Sequence, residues 1–192
     1  MNNKNVKEIV MPALILFLIV FAAVAILAWC NSATYDKIQQ INAENAAKAR
    51  QCVLPKAKQF EEVSDFKGEG IVKNVFEGKD GDKKVGYCVS VTPSGYGGEM
   101  EIMVGVDDDL KIAGIEIVSS SETAGLGKNA SKESFKSQFV GLTKEITVKK
   151  NAPDKNNNEI QALSGATITS NAVSSGANAA IDAVKKIKEA AK

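Results

Sequence analysis

No histidine occurs anywhere in the 192 residues. That absence removes serine–histidine–aspartate and cysteine–histidine nucleophile arrangements, and histidine-ligated zinc or haem, in one step. Acid–base work is left to carboxylates, lysine or tyrosine, or to a cofactor that brings its own chemistry. Cysteine is scarce as well. Cys30, Cys52 and Cys88 stand far apart with no Cys-x-x-Cys pair, so neither an iron–sulfur cluster nor a zinc site is expected within the chain. The odd count argues against a disulfide framework and leaves open only a single Cys52–Cys88 bridge in an oxidising compartment. Aromatics make up 6% of the chain, and 24 Lys+Arg against 23 Asp+Glu give a formal charge of +1. A near-neutral chain has no electrostatic footprint for nucleic acid. No catalytic residue and no metal site is expected.

Charge is missing altogether from Ile9 to Cys30. At ~1.5 Å per residue that run reaches ~33 Å, enough to cross a hydrocarbon core of ~30 Å. Pro12 is placed in the first turn, where a missing N–H costs little, and Trp29 at the far end, where an interfacial aromatic belongs. The run is longer than the ~7–15-residue core of a cleaved signal. Trp29 also occupies the position where lipoprotein cleavage before Cys30 needs a small residue. The sequence therefore predicts an uncleaved, single-pass anchor over 9–30. Lys4, Lys7 and the amino terminus precede it, while Asp36 and Lys37 cancel after it. Positive charge favours the cytoplasmic side, so residues 1–8 are expected inside and everything beyond Cys30 on the outer face of the cell membrane. Ala22, Ala23, Ala25 and Ala28 permit close packing against other membrane helices.

Beyond the anchor the pattern predicts an α+β arrangement: a stalk helix or linker over 31–63, then a domain over 64–192. Ile38, Ile41, Ala46 and Ala47 form a weak apolar stripe, and Pro55 kinks or ends that helix. Ile71–Phe76 and Val85–Val91 flank a turn at Gly78–Asp82, and Met100–Val106 and Lys111–Ser119 flank Asp107–Asp109. These read as a small antiparallel sheet with one buried face. Ser131–Val140 reads as a short helix with Phe135 and Phe139 one turn apart. Lys144–Lys149 reads as a strand, 151–158 as a polar loop, and Thr169–Ala191 as an amphipathic helix with Val173, Ala177, Ala180, Ile181, Val184 and Ile187 on one stripe.

Some motifs fail on inspection. Asp154–Glu159 begins like a calcium loop, but Glu159 stands where glycine is needed and Gly165 where the bidentate glutamate belongs. Asp107–Asp109 is explained by its turn. Asn129-Ala130-Ser131 is a formal glycosylation sequon, better read as offering Asn129 or Ser131 as a helix cap.

Three clusters carry more weight. Gln161-Ala162-Leu163-Ser164-Gly165-Ala166-Thr167 opens into the last helix. A capped helix accounts for it, and so does an anion site: unpaired N–H groups and the positive dipole end favour phosphate there. Gly165 lets backbone approach closely, and Thr167 offers a hydroxyl for an ester. The second cluster, Glu122-Thr123-Ala124-Gly125-Leu126-Gly127, forms a tight loop after a strand. The third, Gly95-Tyr96-Gly97-Gly98, lies between two strands.

With the N-terminal anchor, these clusters make the chain resemble the FMN-binding subunits of two related membrane complexes. One is the G subunit of the Rnf ferredoxin:NAD⁺ oxidoreductase (RnfG), to which the short length is closer. The other is the C subunit of the sodium-pumping NADH:quinone oxidoreductase. The resemblance spans nearly the whole chain and implies a single transmembrane helix followed by a small FMN-binding domain of antiparallel sheet and flanking helices. It implies FMN joined through its phosphate to Thr167, within Ser164-Gly165-Ala166-Thr167, by a flavin transferase that uses FAD and Mg²⁺. It further implies Glu122, Thr123, Gly125, Leu126 and Gly127 around the isoalloxazine, and Lys149 as an electrostatic partner of the reduced ring. The family often has aspartate where Gln161 stands, proline where Ala124 stands and histidine where Ser120 stands.

The activity so implied is electron relay inside an oxidoreductase that drives Na⁺ or H⁺ outward, with other membrane and peripheral subunits as partners. Two alternatives stay open at this point. One keeps the flavin in the C subunit of the quinone reductase or in a free-standing extracytoplasmic flavin protein. The other is a flavin-free anchored binding or assembly module, with Ser164–Thr167 acting only as a cap.

Overall fold

A computed structural model describes residues 3–64, 66, 68–143 and 145–190, with side chains from residue 9 onward apart from Asp36. The amino-terminal residue and the Lys4 and Lys7 side chains, used above for orientation, lie outside what is described, as does Lys144. Residues up to Glu44 form one unit and Asn45–Lys192 a second, compact one.

Helix α1 runs without a break over Asn3–Val53. Its apolar part, Ile9–Tyr35, reaches a mean hydropathy of 3.1 over 18 residues and is long enough to cross a membrane. The helix starts before the apolar run, so Pro12 lies inside it rather than in its first turn. The helix stops at Val53, two residues before Pro55, whose ring disfavours helical geometry in the residue ahead of it. The expected stalk therefore does not continue to residue 63: Gln59–Glu62 is strand β1.

In the compact unit, β1 is followed by β2 (Val72–Asp80), β3 (Lys83–Val91), β4 (Met100–Val106) and β5 (Ile112–Ser120). They form one five-stranded antiparallel sheet in sequential order. Asp80 pairs with Lys83 across a two-residue turn, shorter than the Gly78–Asp82 turn read from sequence, and Gly81 supplies its positive φ of 63°. After β5 come a 3₁₀ turn at Gly127–Ser131, the single helical turn α2 (Glu133–Lys136) and a second 3₁₀ turn at Ser137–Phe139. These replace the continuous helix expected over 131–140, although Phe135 and Phe139 do meet edge to face at 5.5 Å. Neither Asn129 nor Ser131 caps α2. Lys132 stands at its N-cap without a side-chain bond, and the Asn129 amide instead donates to the Gly125 carbonyl at 2.7 Å. Strands β6 (Thr147–Lys149) and β7 (Glu159–Gln161) pair in parallel. β7 is three residues of mixed polarity, too short for any periodicity to reveal. Helix α3 spans Thr167–Ala190.

The sheet is buried on both faces, not one. Val75, Tyr87, Val89, Val91, Ile102 and Val104 pack with Val173, Ala177, Ala180, Ile181 and Val184 of α3. Cys88 and Met103 point the other way, onto Ala49, Val53, Leu54 and Ala57 at the end of α1 and just beyond it. The clue in the sequence was the unbroken apolar character of the central strands, which marks burial on both sides. Close approach of the α1 end requires glycine. A Cβ on Gly105 would overlap the Val53 carbonyl oxygen, and one on Gly114 would lie 3.1 Å from Val53 Cα. The two glycines face each other across β4 and β5. Cys52 is exposed, Cys88 is buried, and neither is in a disulfide. The Cys88 thiol lies 3.7 Å from the Arg50 carbonyl oxygen. Burial pushes its pKa up to about 12, against a smaller opposing pull from Arg50.

Two outcomes follow. Gly105→Ala should lower stability by ~1–3 kcal/mol through overpacking against Val53, read from denaturant unfolding. At neutral pH a maleimide should label Cys52 rapidly and Cys88 only as the sheet unfolds; fast labelling of Cys88 in the folded protein would contradict this packing.

Candidate functional site

The site is assembled where α3 begins. β7 delivers the chain into the turn over 162–166, and that turn is held from inside. The Ala162 N–H donates to the Lys149 carbonyl at 2.7 Å, and the Ala166 N–H to the Leu163 carbonyl at 3.0 Å. The Leu163 N–H donates to Ser170 Oγ at 2.9 Å, and the Ser170 hydroxyl donates on to the Ala166 carbonyl at 2.9 Å. Gly165 takes φ 73°, a left-handed conformation that disfavours side chains. Ser170, one turn into the helix, thus holds the turn that a simple cap would assign to Ser164 or Thr167. Among the described residues, neither of those two hydroxyls has a hydrogen-bond partner. Thr167 is half-buried and Ser164 exposed, whereas Thr169 and Ser170 are fully buried.

Two cavities meet at Gly165 and Thr167. One, of about 460 Å³, is walled by Tyr96, Glu122, Thr123, Leu126, Gly127, Ala166, Ile168 and Thr169. It is mainly apolar, and its rim is made by the exposed side chains of Tyr96, Leu126 and Ile168. The other, of about 510 Å³, is walled by Lys150, Asn151, Gln161, Ala162, Leu163 and Ser164 and is more polar. Thr167 therefore stands between a space suited to a flat apolar ring and a space suited to polar or anionic groups. The first-turn N–H groups of α3, which no carbonyl of the helix can meet, open at the same place.

The structure brings Glu122, Thr123, Leu126, Gly127, Gly165, Ala166 and Thr167 together around the first cavity, and Ser164 around the second. Gly125 shapes the loop with φ 79° without lining either cavity. Lys149 does not join them. Its ammonium lies 3.5 Å from Glu159 Oε1, and the lysine in the polar cavity is its neighbour Lys150. Lys149 ends β6 and Lys150 is the first residue beyond it, so one position decides which lysine reaches the site. Tyr96, Ile168, Thr169 and Asn151 also line the cavities. Tyr96 belongs to the glycine cluster quoted above, whereas spacing alone does not single out Ile168, Thr169 or Asn151, which reach the site only through packing. A set of a free hydroxyl, a helix N-terminus, a lysine and an apolar cavity of this size fits a phosphorylated, flat cofactor.

Comparison with known proteins agrees. A family described as an FMN-binding domain matches residues 95–182. The G subunit of the Na⁺-translocating ferredoxin:NAD⁺ oxidoreductase complex of Acetobacterium woodii is 38% identical, over 95% of this chain and 95% of that protein. The G subunit of the ion-translocating oxidoreductase complex of Methanosarcina acetivorans is 32% identical over 93% and 95%. The G subunit of the proton-translocating ferredoxin:NAD⁺ oxidoreductase complex of Clostridium ljungdahlii is 44% identical over 58% of this chain and 60% of that protein. Among solved structures, the C subunit of the Na⁺-translocating NADH-quinone reductase of Parabacteroides distasonis shares the fold. Its TM-score is 0.58 and its identity 19%, over 76% of this chain and 92% of that one.

Gly165→Ala is expected to cost ~1–2 kcal/mol, because φ 73° is unfavourable for a side chain. Its new methyl also sits 3.0 Å from Leu126 Cδ2. Thermal unfolding of the chain without cofactor measures this, and an unchanged midpoint would contradict the turn geometry.

Proposed function

The chain belongs to the G-subunit family of ion-translocating oxidoreductase complexes, and from that membership we propose that it carries FMN esterified to Thr167 and relays electrons between neighbouring redox centres of such a complex. Family membership supports a flavin-binding, membrane-anchored subunit of a redox complex. Long matches to G subunits, against a 19% structural likeness to the quinone-reductase protein, favour the former complex. The finer reading rests on one observation above all. Among the described residues, the Thr167 hydroxyl is left without a partner at the point where the apolar and polar cavities meet. Thr169 and Ser170, the other candidates in the same turn of helix, are buried and have their hydroxyls engaged.

Attachment balances as a phosphoryl transfer. With a flavin transferase, FAD and Mg²⁺, the Thr167 oxygen would gain the FMN phosphorus as AMP left with cleavage of the pyrophosphate bond and the hydroxyl proton passed to solvent. The α3 N-terminus and Lys150 would hold the one negative charge left on the phosphodiester. FMN when bound supplies reversible one-electron transfer. Leu126 and Ile168 cover apolar surface and exclude water. Tyr96 extends the wall, and Gly125 and Gly127 let the loop backbone approach. Ser164, Gly165 and Ala166 shape the attachment turn. Glu122 and Thr123 complete the wall, while Lys149, paired with Glu159, stands outside both cavities.

The proposed placement is a single pass through the cell membrane, with residues 1–8 inside and the flavin domain on the outer face. A covalent link then prevents loss of the cofactor by diffusion, and the anchor keeps it near its redox partners. The apolar run Ile9–Cys30 contains no ionisable side chain beyond the Cys30 thiol, so the conducting path for Na⁺ or H⁺ is assigned to other subunits.

Intact mass of the full chain, produced together with a flavin transferase, tests the attachment. The expected result is a gain equal to FMN minus water that disappears in Thr167→Val. An unmodified wild-type mass, or an equal gain in Thr167→Val, would remove Thr167 from this role.

A further inference from the structure

We propose that Glu122 is a positioning residue that clamps the walls of the flavin cavity to one another, a role that rests on the cofactor site proposed above and deepens it. Glu122 is only 4% exposed, and among the described residues no lysine or arginine pairs with it. Burying a carboxylate without a cation is costly unless donors converge on it. Two do. The Gly97 N–H donates to Oε1 at 3.1 Å, and the Thr169 hydroxyl donates to Oε2 at 2.9 Å. One donor comes from the loop between β3 and β4, the other from the first turn of α3, and Glu122 itself begins the loop after β5. A single side chain thus joins the segments that wall the cavity.

The surrounding glycines bear the same imprint. A Cβ on Gly95 would overlap Glu122 Oε1, and a Cβ on Gly127 would overlap Oε2. A Cβ on Gly97 would overlap the Ser121 carbonyl oxygen, immediately before Glu122. Glycine at 95, 97 and 127 therefore leaves room for this carboxylate and its backbone. Both carboxylate oxygens are engaged by the protein, so the side chain fixes the frame on which Tyr96, Leu126 and Thr167 are mounted.

Amide hydrogen exchange on the full, unloaded chain in detergent tests this, with flavin loading read separately by mass. Thr169→Val touches Oε2 alone. It should nevertheless speed exchange at Gly97 and over 125–128 roughly tenfold, because the loss of one charge-assisted bond is transmitted through Glu122, while β3 and β4 keep wild-type protection. Glu122→Ala should loosen both loops further and slow flavin loading at least tenfold. Glu122→Gln should restore both, since its amide oxygen accepts from Gly97 and its NH₂ donates to the Thr169 hydroxyl. Wild-type exchange at Gly97 in Thr169→Val would overturn the clamp, as would Glu122→Gln behaving like Glu122→Ala. If Glu122→Ala does not fold, the other two variants decide. Absence of flavin on the wild-type chain would defeat the attachment reading alone, because exchange is measured without flavin.

Discussion

Everything at the site depends on the docking of α3 against the sheet. Val173, Ala177, Ala180, Ile181 and Val184 lie fully buried against β2, β3 and β4, and the alanines let the helix approach closely. Gly176 sharpens the fit: a Cβ there would lie 3.0 Å from a Val91 methyl group. Once this stripe is seated, the position of the first turn of the helix has no freedom left. Buried polar groups fix it further. The Ser174 hydroxyl and the Asn178 amide both donate to the Ile146 carbonyl, at 2.7 and 3.0 Å, and the Ile146 N–H donates back to Asn178 at 2.9 Å. The first half of α3 is thereby tied to the segment that enters β6.

The second constraint is the exclusion of water from a carboxylate. Most buried acids lean on a cation; Glu122 leans on a backbone N–H and a hydroxyl. Such an arrangement tolerates little displacement, because an unmet lone pair in a low-dielectric setting costs more than a hydrogen bond gains. It turns loops, ordinarily the mobile part of a fold, into a fixed wall. A cofactor that exchanges electrons needs that kind of wall, since reorganisation of the surroundings adds to the barrier.

The relatives are G subunits of ion-translocating oxidoreductase complexes. Their names divide between Na⁺ and H⁺ at comparable identity, while the apolar run of this chain carries no acidic or basic side chain. A protein of this family contributes a membrane-anchored flavin subunit to an oxidoreductase complex.

The sequence by itself determined the apolar span, the hairpin strands β2 to β5, the amphipathic helix at the end, and Ser164–Thr167 as a turn able to meet an anion. All of these depend on local periodicity or on turn chemistry within a few residues. The resemblance of the glycine clusters added the cofactor. Tertiary structure decided the rest. The end of α1 and the short strand β1 were unreadable as part of the domain, because the first gains its role by covering a second face of the sheet and the other by pairing at its edge. The choice between Lys149 and Lys150 depended on where β6 ends and the chain bends, which three strand residues do not reveal. Ser170, and not Ser164, secures the turn ahead of α3, and Thr169 meets Glu122 across 47 positions of chain. Contacts of that kind leave no periodic trace, because they arise only when distant segments are brought together by the burial of a common core.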